Sequence, residues 1–362
     1  MKRVISSPCK FVIGNAELEH LADYIKPYGD SAVIVALAED SDRVGGSLKK
    51  AGQQGITLVF ADFAGECSYS EVDRICEICS GSDVSVLIGL GGGKAIDTAK
   101  VVAHRKRLPL IVVPTIASTD APCSALAIMY DDDHVMCGFE TLSKNPDVIL
   151  ADSKVVAQAP VRFLIAGIGD AFATYFEARA CERTCANNYV GGKATKAAMA
   201  LARLCHETLL SDSLKAIEAC KLELVTPALE NIIEANLLLS GIGFESGGCA
   251  AAHALHNALT VLPETHAALH GEKVAIGLLV QLIMENAPSE EMAMVLQFYR
   301  AVGLPTTLAG IGIKDAAEEK LRLVAQTAAG KTKSSLFNHP FPIDEDLLVG
   351  AFKYVGRLNE LY

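Results

Sequence analysis

Val84-Ser85-Val86-Leu87-Ile88-Gly89-Leu90-Gly91-Gly92-Gly93-Lys94-Ala95-Ile96-Asp97-Thr98-Ala99-Lys100 is the stretch that decides the architecture. An apolar, β-branched run of this kind reads as a strand buried on both faces, and Lys94 to His104 reads as a helix. Three glycines join them where one would make the turn. Without side chains they let backbone N–H groups close around a phosphate at the positive end of the following helix. The spacing fits neither the common dinucleotide fingerprint nor a Walker loop, so the glycines alone specify a phosphate and no particular ligand.

The same alternation extends outward. Ala32 to Ala36, Thr57 to Phe60 and Leu110 to Pro114 read as further strands buried on both faces, with helices over Asp42 to Ala51 and Ser70 to Ser80. Such alternation predicts a mostly parallel sheet built from right-handed crossovers. Ala127 to Tyr130 and Val135 to Phe139, separated by Asp131-Asp132-Asp133, predict a polar-tipped hairpin, and Val148 to Leu150 a further strand. Beyond Val156 the texture changes to Ala, Leu and Glu at helical spacing. Arg162 to Cys181, Ala194 to Leu210, Pro227 to Phe244, Gly248 to Thr260, Gly271 to Glu285, Glu290 to Val302 and Lys314 to Ala328 read as helices. The expectation is an α/β domain with a parallel, Rossmann-like sheet over 1–156 and an all-α domain over 157–362, with a ligand cleft between them.

Composition narrows the functional classes. The chain has 362 residues, of which 51% are hydrophobic and 21% charged, enough apolar matter for two cores. A net charge of −11 gives no electrostatic support for a nucleic acid or an anionic membrane as partner. The most apolar late run, Val274 to Met284, is too short to span a bilayer. Eleven scattered cysteines and no signal-like N-terminus suggest a cytoplasmic protein, with cysteines acting as small buried hydrophobes. The Cys76/Cys79 and Cys181/Cys185 pairs read as core packing, since no second pair completes four ligands.

Two polar constellations interrupt this apolar chain. Thr115-Ile116-Ala117-Ser118-Thr119-Asp120-Ala121-Pro122-Cys123-Ser124-Ala125-Leu126 follows a strand at the edge where open α/β sheets bind ligands. In the helical half, Asp170 sits in Ala166-Gly167-Ile168-Gly169-Asp170-Ala171, His253 and His256 lie three apart among alanines, and His270 opens His270-Gly271-Glu272-Lys273. A buried carboxylate needs a partner, and one aspartate with two histidines makes a zinc set that leaves a position open for water or substrate. Spacing alone leaves open which histidine of the first helix belongs to it.

The Gly91-Gly92-Gly93 turn followed by Asp97, the 114–126 loop, Gly241-Ile242-Gly243-Phe244-Glu245-Ser246-Gly247-Gly248 and the two histidine motifs together resemble the iron-containing alcohol dehydrogenase superfamily. Within it they resemble the zinc-dependent glycerol dehydrogenases, over essentially the whole chain. The resemblance implies Asp170, His253 and His270 as metal ligands and His256 near the substrate. It implies NAD bound at Gly91, Gly92, Gly93, Lys94 and Asp97, with further contacts from Thr115, Ser118, Ser124, Leu126 and Tyr130, and a substrate-facing carboxylate at Asp120. Iron-type relatives carry a histidine four residues after the aspartate; Thr174 stands there, which favours Zn2+. The implied reaction is oxidation of glycerol or a related small polyol to a hydroxyketone, in a homo-oligomer, often an octamer among relatives. Three departures stand out: Leu37 where an aspartate usually grips the adenosine ribose, leaving Glu39 or Asp40 to substitute; His256-Asn257-Ala258 in place of His-Asn-Gly; and the segment Ser334 to Pro342. The His270-Gly271-Glu272 motif also resembles dehydroquinate synthase, a lyase, but the Thr115 to Tyr130 stretch lacks the basic residues that such a phosphorylated acid needs.

Overall fold

The computed structural model describes residues 1–131, 136–330 and 334–362. Its chain forms two compact units, and the sequence interleaves them. The α/β unit contains Ser6–Val161 together with Glu218–Gly241. The helical unit contains Met1–Ile5, Arg162–Ile217 and Ile242–Tyr362.

The α/β unit is organised by a six-stranded sheet in the order β1-β8-β5-β4-β2-β3, every pairing parallel. The strands are β1 Lys10–Gly14, β2 Ser31–Ala36, β3 Thr57–Asp62, β4 Val86–Gly91, β5 Leu110–Pro114 and β8 Val148–Asp152. β6 Leu126–Tyr130 and β7 Met136–Thr141 pair separately and antiparallel. They are the expected hairpin, whose Asp132, Asp133 and Val135 lie outside the described residues. The four central strands are apolar because helices cover both faces. Ile34, Ile88 and Ile111 are wholly buried with Leu18, Leu21, Ile25 and Leu150, each burial contributing about 1.5–3 kcal/mol.

The large sheet departs from the sequence reading at two strands. β3 is an edge strand, half solvated, with Phe60 exposed; among the described residues no strand pairs with its far side. β1 was not predicted, because Lys10-Phe11-Val12-Ile13-Gly14 is short and starts polar. It gains its register from β8, Phe11 lying opposite Ile149.

From β2 the chain runs to β3 on one side, then returns past β2 to β4 and continues toward β5 on the other. The order therefore reverses between β2 and β4, and Gly91–Gly93 closes the carboxyl end of β4 at that switch point. This is the crevice in which open α/β sheets take their ligands.

The helical unit is built from long apolar helices, among them Val161–Thr184, Ala251–Leu259, His270–Met284 and Ser289–Val302. The segment read as one helix over 227–244 is Pro227–Glu234, a π-helical turn Ala235–Leu239, and Ser240–Gly247. All eleven cysteines are free thiols. Cys79 and Cys181 are buried as expected, but Cys185 ends its helix exposed, in the left-handed region, and Cys9 and Cys137 are exposed too. No helix among the described residues is long and apolar enough to cross a membrane.

Candidate active site

In the α/β unit, Gly91 adopts φ 137°, a conformation side chains resist, and this turns the chain from β4 into the Gly93–Lys106 helix. The Thr115 N–H donates to the Gly91 carbonyl at 3.1 Å, which fixes the neighbouring strand end beside the turn. A β-carbon on Gly93 would meet Thr119 Oγ1 at 3.6 Å, so the 115–124 loop lies against the glycines. Lys94 pairs with Glu66 at 2.7 Å and sits 4.7 Å above the Tyr130 ring.

Sequence reasoning overlooked Lys100, which organises this region. Its side chain is completely buried, and Nζ donates to Asp97 Oδ1 (3.1 Å), to the Leu126 carbonyl (2.8 Å) and to the Ala121 carbonyl. Ser124 Oγ stands 3.4 Å away. Asp97 Oδ2 accepts from the Ile128 N–H at 2.9 Å. One buried ion pair, with each charge also held by backbone dipoles, thus ties the helix after the glycine turn to the loop and to β6. Its signal in the sequence was the i,i+3 spacing of Asp97 and Lys100.

The π-helical turn latches the same loop. Asn236 Nδ2 donates to the Ala117 carbonyl at 2.9 Å, and Ser240 Oγ donates to Asp120 Oδ2 at 2.6 Å. Irregular turns of this kind re-aim side chains at working surfaces. Leu37 is exposed, whereas Asp40 approaches the glycines: a β-carbon on Gly91 would meet Asp40 Oδ2 at 3.0 Å. Gly91 to Lys94, Asp97, Thr115, Ser118, Asp120, Ser124, Leu126 and Tyr130 all belong to this unit.

Asp170, His253, His256 and His270 belong to the helical unit, and backbone proximity brings them together. A β-carbon on Gly271 would lie 1.7 Å from the Ala166 carbonyl oxygen, so the Val161–Thr184 and His270–Met284 helices touch backbone to backbone there, which side chains at that position forbid. Gly277 makes the same kind of approach to Ala252 of the Ala251–Leu259 helix. Glu272 reaches back to the Leu269 N–H at 2.7 Å and is gripped by Arg162 at 2.8 Å, which fixes the turn carrying His270.

The outcome is a converging donor set. Asp170 is wholly buried, and its Oδ1 lies 3.1 Å from His253 Nε2 and 3.0 Å from His270 Nε2. Burial pushes the Asp170 carboxyl upward, but the His270 charge and the hydrogen bonds of both imidazoles reverse this and hold it far below the usual range. Burial likewise opposes a charge on His253, yet Glu177 beside its ring raises it well above the ordinary histidine value. His256 is driven the other way, chiefly by burial and then by His270, Lys273 and His253, so it is neutral; its ring packs on His270 with centroids 4.1 Å apart. Two imidazole nitrogens and a carboxylate oxygen aimed at one another are held either by protons on the rings or by a cation among them. One oxygen and two nitrogens at this spacing suit a divalent cation, and Asp170, His253 and His270 form one of two such groups among the described residues. Thr174 is buried one turn beyond Asp170 and offers only a hydroxyl.

Comparison with known proteins agrees with this architecture. The family description of iron-containing alcohol dehydrogenases matches residues 8–153. The chain is 47% identical to a glycerol dehydrogenase of Pseudomonas putida over 366 aligned residues, spanning 99% of each protein. It is 48% identical to a glycerol dehydrogenase of Escherichia coli O6:H1, spanning 100% of this chain and 99% of that one. The crystal structure of a probable glycerol dehydrogenase from Sinorhizobium meliloti 1021 superposes over the full length of both chains with a TM-score of 0.94 at 41% identity. A likeness that spans both units at this identity makes the chain an oxidoreductase, and it belongs to the iron-containing alcohol dehydrogenase family.

Proposed function

We propose that this chain oxidises glycerol, and small vicinal diols like it, reversibly to the hydroxyketone, with NAD as hydride acceptor and Zn2+ held by Asp170, His253 and His270. The observation that carries the reading is the convergence of those three donors on one point; the glycerol dehydrogenase relatives suggest the substrate. A bound divalent ion supplies Lewis-acid chemistry, of the kind that lowers the pKa of water to about 7, and NAD supplies the hydride acceptor.

The residues of the chain do the rest. Asp170 and the two imidazoles present a three-donor set, and the hydroxyl of Thr174 in place of a third imidazole as fourth ligand favours zinc over iron. His256, neutral and adjacent to His270, gives its Nδ1 proton to Asn257 Oδ1 at 3.1 Å, so its Nε2 accepts from a substrate hydroxyl without repelling the cation. Asp120, held by Ser240, orients a second hydroxyl. Backbone N–H groups of the Gly91–Gly93 turn take the pyrophosphate. Asp40 beside that turn takes the ribose hydroxyls and repels a 2′-phosphate, which favours NAD over NADP. In the balanced reaction a carbon-bound hydride passes to NAD+ and the hydroxyl proton leaves to solvent.

The test is NADH formation from glycerol, 1,2-propanediol and 2,3-butanediol, and NADH consumption with hydroxyaldehydes, before and after dialysis against a chelator, with zinc and ferrous iron added back. The reading expects activity with glycerol that is lost with the metal and restored by zinc. His253→Ala should abolish turnover while sparing NADH binding. Glycerol oxidation that survives exhaustive chelation would overturn it.

A further inference from the structure

Glu177 lies two helical turns after Asp170 on the same helix, seven residues on and so on the same face. It is completely buried. Its Oε1 accepts from the backbone N–H groups of Ala250 (2.8 Å) and His253 (3.0 Å), and its Oε2 accepts from His253 Nδ1 (2.5 Å). The turn that it holds is pinned from other sides as well. Cys181 Sγ and Asn338 Nδ2 donate to the Cys249 carbonyl at 3.0 and 2.8 Å, and Ser335 Oγ donates to the Ala250 carbonyl at 2.9 Å. The unusual 334–342 segment thus packs behind a proposed metal ligand.

Glu177, Cys249 and His253 also form the second group whose donor atoms lie close enough to suggest a metal. The spacing argues against an ion there. Ligands of a tetrahedral zinc stand about 3.3 Å apart when each is about 2.0–2.1 Å from the ion. The 3.0–3.1 Å contacts around Asp170 approach that value. At 2.5 Å, Glu177 and His253 are hydrogen-bonded with no room for an ion to hold them as ligands.

We infer that Glu177 is a positioning residue, which holds His253 with its proton on Nδ1, leaving Nε2 to ligate the ion beside Asp170. The inference rests on the metal site proposed above. The chemistry depends on a carboxylate being an acceptor only. Three N–H groups point at it, two on one oxygen and one on the other. An amide at 177 offers one accepting atom. If that atom faces the two backbone donors, its NH2 faces Nδ1 and drives the ring proton onto Nε2, which can then no longer ligate. If the amide flips, its NH2 meets two N–H groups. Outer-shell partners of this kind typically govern metal affinity by about 10–100-fold.

The experiment measures zinc affinity by chelator competition on the full chain with Glu177→Gln and Glu177→Asp, both checked for folding without metal. Glu177→Gln preserves shape and destroys the acceptor pattern; Glu177→Asp shortens the side chain and preserves it. The expected order is parent, then the Asp variant, then the Gln variant, which binds at least about tenfold more weakly than the parent. A Gln variant within about twofold of the parent, or tighter than the Asp variant, overturns the inference and leaves Glu177 a packing residue. If the parent itself takes up no zinc, the metal site has failed instead. Should the Gln variant not fold, 15N-histidine NMR of the zinc-loaded parent decides: a ring Nδ1–H proton resonance far downfield of the amides is expected, and its absence overturns the inference.

Discussion

Gly271→Ala tests how the ligand-bearing helices are held. The added β-carbon would lie 1.7 Å from the Ala166 carbonyl oxygen, 2.7 Å from its carbon and 2.9 Å from the Asp170 nitrogen, while ordinary contact begins at 3.4 Å. Relief by simple separation needs the two backbones to part by roughly 1.7 Å. No flexible side chain is available to yield, since the clashing atoms are main chain. Overpacking of this kind costs about 1–3 kcal/mol. At about 2–4 °C per kcal/mol, the melting temperature of the metal-free protein should fall by roughly 2–12 °C. The same displacement acts on Asp170 and His270, whose donor atoms are 3.0 Å apart, and a misplacement above about 1 Å costs on the order of 100-fold in turnover. Differential scanning calorimetry and chelator competition for zinc read the two effects. Gly46→Ala is the control: the site is exposed, helical, and has nothing within 4 Å of a new β-carbon, so it should be neutral or stabilising by about 0.5–1 kcal/mol. A Gly271→Ala protein that melts within about 1 °C of the parent and keeps its zinc affinity would refute the claim that this contact sets the ligand geometry.

Lys100→Met should destabilise the protein by about 3–5 kcal/mol, because Asp97 stays buried without its partner; urea unfolding measures the loss, and NADH titration should weaken as the loop loosens. Asp40→Ser should raise the ratio of NADP to NAD turnover at least about tenfold, by removing a charge that opposes a 2′-phosphate; an unchanged ratio would clear Asp40 of the role. His206 lies buried against Phe172, Tyr175 and Phe176, and burial lowers its pKa from 6.5 to about 4, against Glu291 and aided by Arg179. The unfolded chain therefore binds that proton more tightly than the folded one. Its contribution is complete above pH 6.5 and fades as pH falls toward 4, amounting to about 3 kcal/mol in full. His206→Phe should flatten the acid limb of stability between those pH values, and unfolding series at pH 7 and pH 4.5 with equal losses in both proteins would contradict it.

The sheet and its ligand edge were legible because the glycine turn and the doubly buried strands depend on local chemistry that a short window displays. The three converging donors were legible in part. Spacing limited the candidates, and the family resemblance chose between His253 and His256. What escaped depends on partners far apart in sequence. β1 takes its register from β8, more than a hundred residues away. Glu177 reads as one more polar residue in an apolar helix until His253 comes to lie on it, although its spacing from Asp170 was a usable hint. Lys100 resembles a solvated lysine until the 121–126 carbonyls close around it. The π turn at Ala235–Leu239 leaves the helical period nearly intact, so nothing in the apolar pattern announces it.

The latch formed by Asn236 and Ser240 bears on how the chain is made. A ribosome has released every strand of the large sheet once residue 152 is out, yet the Ala117 carbonyl and the Asp120 carboxylate wait for their Asn236 and Ser240 donors until residue 240 follows. At about 5–20 residues per second that is a wait of several seconds or more. Met1–Ile5 likewise wait for a partner made much later, since Arg3 bridges Lys193. Neither unit can finish before most of the chain has been translated, so maturation is set by the nascent chain's late segments, and the growing polypeptide passes through a stage in which the loop beside the glycine turn still lacks its latch.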